Sequence, residues 1–487
     1  MRSLLIRLTP PASAWPRGDF RCHWVPTGVA YLATALRRAG SDVRIVHREQ
    51  QLMDAGFDFA QADNQLRHTL RSHRPEMVGF STNTASVPEL DRLSRMCRQE
   101  LGGSAVLLAG GPHPTALPEQ TLDECPALDA VAVGEAERTV EQIAQSGLRD
   151  DVAGLVIRRD GEYIRTPQRA LEHDLDSLGE PAMDLLDWSF HTARSGWMIR
   201  YLPLRTVNVH TSRGCTNRCR FCAGHIIGGV GVRPHSIEYV TERVRFAVEQ
   251  MEAEAVLFDD DTLGADPARL MELCDALCRA GFHRRIVWAG CLRVDQTSRR
   301  VLAAMKSAGC VQVEFGFECG SDAGLRAMGK GTTVDMNIRA AALTREAGLR
   351  VFANVILGTP GETTEDFDAT VAMIRKIKPD VLSATRLCPL PGTAVFKKLT
   401  PRQRSQITWE SLAYMNVPCN LTAMSDEQFE KRYRRFRRYF FVPLLNHHRL
   451  RDGQPSPRRR AGLRRRLQRF AVRHPIRALR VPWGRGW

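Results

Sequence analysis

Two series of short apolar runs, each run separated from the next by an amphipathic helical stretch, limit this chain to parallel α/β folds. The first series comprises SLLIRL (3–8), DVRIVH (42–47), MVGFST (77–82), AVLLAGG (105–111) and AVAVG (130–134), with helical patterns such as 27–40 and 87–101 between them. This alternation predicts a doubly wound parallel sheet, whose ligands bind beyond the carboxyl ends of the strands. Small-residue turns stand at three of those ends: Ser81-Thr82, the GGPHP stretch starting at Gly110-Gly111, and Gly134-Glu135.

The second series begins at Arg205, with strand-like runs at 205–212, 255–261, 285–291, 311–318, 349–358 and 381–389. Six strand–helix units predict an incomplete version of the eightfold barrel, with its site at the C-terminal strand ends. Residues 151–204 read as a connector containing a hairpin, 155–166, that turns at Asp160-Gly161. Beyond residue 400 the pattern turns helical, and the segment 425–445 opens with a capping box from Ser425 to Gln428. The expected divisions are therefore 1–150, 151–204, 205–400 and 401–487.

The formal net charge of +15 is not a property of the whole chain. From Lys431 to Trp487 there are nineteen Lys and Arg residues and one acidic residue, a local charge of +18, so the preceding 430 residues carry −3. A nearly neutral body disfavours a general nucleic-acid binder. The mixed basic and apolar end of the chain, 458–483, is expected to be a solvated extension or to make peripheral contact with an anionic membrane surface. No run of about 18 apolar residues is present, and the N-terminus lacks the long apolar stretch of a signal peptide, so a cytoplasmic location is expected.

In that setting disulfides are disfavoured, and most of the thirteen cysteines read as small core residues. TSRGCTNRCRFC (211–222) does not. It places Cys215, Cys219 and Cys222 within eight residues, in the loop after the first strand of the second series. Zinc usually takes four ligands, often as two separated pairs, and no second pair lies nearby. Three thiolates on one loop suit three irons of a [4Fe–4S] cluster and leave the fourth open.

A C-x3-C-x2-C motif in this position resembles the radical SAM superfamily, and the doubly wound domain ahead of it resembles that superfamily's cobalamin-binding branch. The resemblance covers roughly residues 1–400. It implies a Rossmann-like cobalamin-binding domain, then a partial (β/α)6 barrel, then a helical basic C-terminal region. It implies that Cys215, Cys219 and Cys222 hold the cluster. Phe221, Asp260, Arg293, Glu318, Asn354 and Gly358 are implied as contacts of S-adenosylmethionine (SAM). The bland alternative for the 259–261 aspartates is a solvated turn, and for Glu318 an ion pair with Arg293. Ser81, Thr82, Gly110, Gly111, Gly134 and Glu135 are implied as the cobalamin pocket. The D-x-H-x-x-G motif that supplies a lower cobalt ligand is missing, and His113 reads as a turn histidine.

The implied chemistry is reductive cleavage of SAM to a 5′-deoxyadenosyl radical, hydrogen abstraction from an unactivated carbon, and methyl delivery from methylcobalamin. A flavodoxin- or ferredoxin-type electron donor and a small-molecule or lipid substrate follow. An oxidative cyclase or ring-rearranging enzyme is the alternative within the branch. A methylthiotransferase is disfavoured because no tight cysteine group precedes residue 200. A cobalamin sensor with a nucleic-acid-binding tail is the alternative of another class, which the intact cysteine motif disfavours.

Overall fold

The computed structural model describes residues 1–11, 24–413 and 419–440. Its first sheet contains β1 (Arg2–Arg7), β2 (Asp42–His47), β3 (Met77–Ser81), β4 (Val106–Gly110) and β5 (Ala130–Ala132), all parallel. The spatial order is β2-β1-β3-β4-β5, so the chain reverses direction across the sheet between β1 and β3. Burial explains the unbroken apolar runs. Leu4 and Ile6 of β1 pack on the side of helices Phe59–His73 and Val87–Leu101, against Leu66, Leu70, Leu90 and Leu93. Leu5 faces the other core with Val29, Ala33 and Leu36 of helix Thr27–Arg38.

The hairpin expected in the connector is part of this sheet. β6 (Leu155–Arg159) pairs antiparallel with β5, and β7 (Glu162–Arg165) closes the edge. Asp160 and Gly161 have φ of 52° and 82°, the two left-handed residues that a type I′ turn requires.

The second sheet holds β8 (Thr206–Val209), β11 (Ala255–Phe258), β12 (Val287–Leu292), β13 (Cys310–Glu318), β14 (Arg350–Leu357) and β15 (Val381–Arg386), parallel and in sequential order. The edges β8 and β15 do not pair, which is the topology of an incomplete barrel. Between β8 and β11 lies a two-residue antiparallel pair, β9 (Ser212–Arg213) with β10 (Arg233–Pro234). Helices Ile237–Glu249, Pro267–Arg279, Arg299–Ser307, Val334–Glu346 and Thr364–Ile377 pack side by side on one face. Each is started by a side chain that accepts a backbone N–H: Ser236, Asp266, Ser298, Thr333 and Thr363. Trp288 donates to Ala308 O, and Asn337 donates to Phe317 O, on this helical face. The opposite, inner face carries Asp259, Cys291, Gln312, Glu314, Gly316 and Asn354, because side chains alternate along each strand.

A separate unit begins at Asp426. It opens with helix Asp426–Phe440, on which Phe429, Tyr433 and Phe436 are buried. The basic stretch 458–483 lies outside the described residues. No helix among the described residues is long and apolar enough to cross a membrane.

Candidate cofactor site

All three motif cysteines lie in one loop, 214–232, whose base is closed by β9 and β10. Gly214 (φ 85°) is required there, since a Cβ would fall 2.4 Å from Gly231 O. Asp260 anchors the entry to the loop. Its Oδ1 accepts from the backbone N–H groups of Thr211 and Ser212, and from both hydroxyls. Its Oδ2 is buried without a hydrogen-bond partner. Burial pushes the carboxyl up to about 6, although these bonds favour the ionised form. Asp260, expected among the SAM contacts, is thus turned under the cysteine loop.

Cys219 is buried, Cys215 half-buried and Cys222 exposed. Asn217 donates to Cys215 Sγ from its backbone and side chain at 3.5 and 3.6 Å, and Gly224 N donates to Cys222 Sγ at 3.3 Å. Burial raises the Cys219 thiol, while Lys330 and Arg293 act against that rise. Among the described residues no three His, Cys, Asp or Glu side chains converge on one point as a single metal ion needs. Three thiols on one loop, with N–H donors to sulfur and two neighbouring cations, fit an anionic iron–sulfur cluster. Arg220 fastens the loop: its N–H donates to Met328 O at 2.9 Å and its guanidinium to Ala327 O at 3.0 Å. Phe221, expected near adenine, packs against the cluster of Cys319, Leu325 and Met328.

Glu318 ends β13 with a left-handed backbone, φ 59°, where the register with β14 slips. Its Oε1 lies 2.9 Å from Lys330 Nζ, and each side chain is only 9% exposed. The expected partner, Arg293, is engaged elsewhere. It forks onto Asp295 at 3.0 and 2.9 Å and donates to Lys330 O at 2.9 Å. The Glu318–Lys330 pair crosses Gly316, where a Cβ would sit 2.3 Å from Glu318 Oε1 and 2.8 Å from Lys330 Nζ. The sequence reading missed Lys330. Its signal is the flanking Gly329 and Gly331, with φ of 66° and 71°. Asn354 is half-buried on the inner face, in register with Gly316 and Ser383. Gly358 (φ 82°) donates its N–H to Glu362 Oε2 at 2.6 Å, and Thr359 N donates to the same oxygen.

The glycine loops of the first sheet lie together at the carboxyl ends of β3, β4 and β5. Ser81, half-buried, ends β3 in register with Gly110. Thr82 N donates to Gly110 O at 2.9 Å. Gly111 (φ 110°) passes so close to Thr82 that a Cβ would lie 2.5 Å from its carbonyl oxygen. Among the described residues, the buried Thr82 Oγ1 and His113 Nε2 here have no hydrogen-bond partner. Burial lowers the imidazole of His113 to about 4, so it is neutral, and its ring stands edge-on to Trp409 at 4.7 Å. Among the described residues, none beyond its chain neighbours comes within 4 Å of where a Gly134 Cβ would be. Unpartnered polar atoms beside open glycine backbone fit a flat, hydrogen-bonding ligand. Glu135, expected in that pocket, instead forks onto Arg233 at 2.6 and 2.9 Å and reaches Arg213 at 3.3 Å.

These loops face the cysteine loop. Helix Pro112–Ala116 contacts helix His225–Gly228, which follows Cys222. Gly392 (φ 84°) lies where a Cβ would meet both Ile226 and Ala116.

Comparison with known proteins agrees with this division. Residues 18–144 match the B12 binding domain, and residues 209–374 match the radical SAM superfamily. An uncharacterized methyltransferase of Pyrococcus horikoshii is 28% identical over 440 residues, covering 89% of this chain and 91% of the relative. An anaerobic magnesium-protoporphyrin IX monomethyl ester cyclase of Cereibacter sphaeroides is 25% identical over 385 residues, 77% of this chain and 60% of the cyclase. Among solved structures, the cobalamin-dependent SAM radical enzyme OxsB, with aqua-cobalamin and SAM bound, superposes with a TM-score of 0.72 at 17% identity. That match covers 97% of this chain and 72% of OxsB, and the likeness is one of fold.

Proposed function

We propose, of a chain that belongs to the radical SAM proteins with a B12-binding domain, that it is a cobalamin-dependent radical SAM methyltransferase acting on an unactivated carbon of a small molecule. The observation that carries this reading is the apposition of two loop sets: the glycine loops after β3–β5 face the three-cysteine loop after β8. When bound, the iron–sulfur cluster would supply the electron that cleaves SAM, and cobalamin the methyl group.

The protein's own residues would hold and orient these groups. Cys215, Cys219 and Cys222 would ligate the cluster as thiolates, and at Cys219 burial opposes ionisation while Lys330 and Arg293 favour it. Asp260 holds the loop's entry strand, and Arg220 its middle, so the thiolates are positioned before loading. Glu318 presents a carboxylate at the strand ends, already paired with Lys330 and suited to the hydroxyl or ammonium groups of SAM. Ser81, Thr82, Gly110, Gly111 and Gly134 would accept the corrin, with neutral His113 beside them. An external one-electron donor is required.

The likeness to the cyclase favours a second reading, oxidative ring closure by the same cofactors. One experiment separates the outcomes. The protein is purified anaerobically from cobalamin-fed cells, and iron, corrinoid and SAM cleavage are measured on wild type and Cys219→Ala. About four irons and one corrinoid per chain, with deoxyadenosine release lost in the variant, is the expected result. Corrinoid-free protein that still cleaves SAM would refute the methyltransferase. A product lighter by hydrogen rather than heavier by one methyl would select the cyclase.

A further inference from the structure

Among the described residues, the inner face of the six-stranded sheet carries two carboxylates outside any ion pair and one buried acceptor, Gln312 Oε1, without a hydrogen bond. Asp259 follows Phe258, which pairs with Gly290, and Cys291 pairs with Glu314. Continuing that register by one residue past the end of β11 brings Asp259 level with Cys291 of β12 and Glu314 of β13 on the inner side. Gln312 lies two residues before Glu314 on the same face and is fully buried. Its Nε2 donates to Glu314 Oε1 at 3.3 Å, while its Oε1 is buried with no partner. Among the described residues, neither Asp259 nor Glu314 has an ion-pair partner within 4 Å.

The surrounding charges do not neutralise them. Asp260 and Asp261 adjoin Asp259 and repel it, and desolvation holds the half-buried His210 toward its neutral form. Lys330 is taken by Glu318. Arg200 lies over the rings of Trp197 and Phe352, and only its more distant charge favours ionised Glu314. Desolvation and mutual repulsion push Asp259 up to about 8, and desolvation pushes Glu314 up to about 7.

We propose that Asp259, Gln312 and Glu314 form the receptor for a cationic nitrogen of the substrate, an ammonium, amidinium or guanidinium group. The proposal rests on the enzyme reading above and narrows its substrate class. Acceptors from β13 and from the end of β11, on either side of β12, match a group that donates two or three N–H bonds, and one positive charge relieves the repulsion that Glu314 exerts on Asp259. A hydrocarbon seated there would leave Gln312 Oε1 without a donor and the two carboxylates without a counter-charge, which disfavours a lipid tail on this face.

The test uses the full-length, cluster-reconstituted protein at pH 8. Binding of agmatine and 1,4-diaminobutane is read by melting-temperature shift, with 1,4-butanediol as the uncharged counterpart. The cations are expected to bind and the diol not to, with affinity falling about tenfold or more in Glu314→Gln and in Asp259→Asn. Failure of both cations to bind wild type overturns the proposal, as does equal binding by the diol or by both variants. SAM cleavage by wild type is measured in parallel. Cleavage without cation binding sinks this inference alone, whereas absence of cleavage and of bound iron sinks the enzyme reading itself.

Discussion

Arg213, two residues before the first motif cysteine, lies 2.8 Å from Glu137, the residue that opens the helix after the Gly134-Glu135 loop. Its guanidinium also reaches Glu135 and lies over the Tyr31 ring at 4.9 Å. The loop expected to meet cobalamin and the loop expected to hold the cluster are thus joined by one half-buried cation. The two carboxylates and the ring outweigh the desolvation of Arg213 and raise its pKa.

Arg213→Ala leaves Glu137 buried with its cation removed. A loss of about 3 kcal/mol is expected, because an uncompensated buried charge costs more than the pair contributes. Urea midpoints measure it. Arg213→Lys should recover part of the loss, and an unchanged midpoint for the alanine variant would contradict the joint.

Gly316→Ala drives a methyl group into the Glu318–Lys330 pair. The side chains must separate, at a cost of about 2 kcal/mol for overpacking. SAM affinity should fall while the iron content of reconstituted protein stays that of wild type, since the thiols are untouched. Equal loss of both would mean that the carboxylate supports the cysteine loop rather than the ligand.

Asp260→Ala strips the acceptor from two buried backbone N–H groups at Thr211 and Ser212. About 2 kcal/mol of stability should be lost. Iron per chain after anaerobic reconstitution should also fall, with far-ultraviolet circular dichroism unchanged. Retention of full iron would show that the loop orders itself without this anchor.

The pH dependence of stability should carry the mark of Asp259 and Glu314. Both carboxyls titrate higher in the folded chain than in the unfolded one, at about 8 and 7. Below about pH 3 both states are protonated and the two groups cost nothing. As pH rises, the unfolded chain ionises first and is favoured, and the penalty is complete above pH 8. The double variant Asp259→Asn, Glu314→Gln should therefore match wild type at about pH 3 and exceed it by several kcal/mol at pH 8. Asp260, which rises to about 6, contributes equally to both proteins and cancels. A difference that shrinks toward pH 8 would contradict the assignment.

Much of the fold was legible because its signals are local. Apolar runs mark strands buried on both faces, and Ser236, Asp266, Ser298, Thr333 and Thr363 mark helix starts within three residues of the backbone they cap. The hairpin at Asp160-Gly161 was legible for the same reason, but not its pairing with β5, which joins segments more than twenty residues apart. At the candidate site, the clustering of Cys215, Cys219 and Cys222 is written in eight consecutive residues. The pairing of Glu318 with Lys330, rather than with the Arg293 of its alternative reading, was not legible, because the turn through 319–329 brings Lys330 back across Gly316.

The sequence by itself determined the two parallel α/β halves and the single thiol loop, since both follow from periodicity and spacing along the chain. Tertiary structure alone decided what each charged side chain serves. Three consecutive aspartates end β11, and strand alternation with loop packing sends Asp260 beneath the cysteine loop and Asp259 to the inner wall. Glu135 and Arg233 are 98 residues apart, and Arg213 lies more than seventy residues from Glu137. Such pairs are chosen by which loops the folded sheets bring together and by the cost of leaving a buried charge alone, and neither is a property of neighbours in sequence.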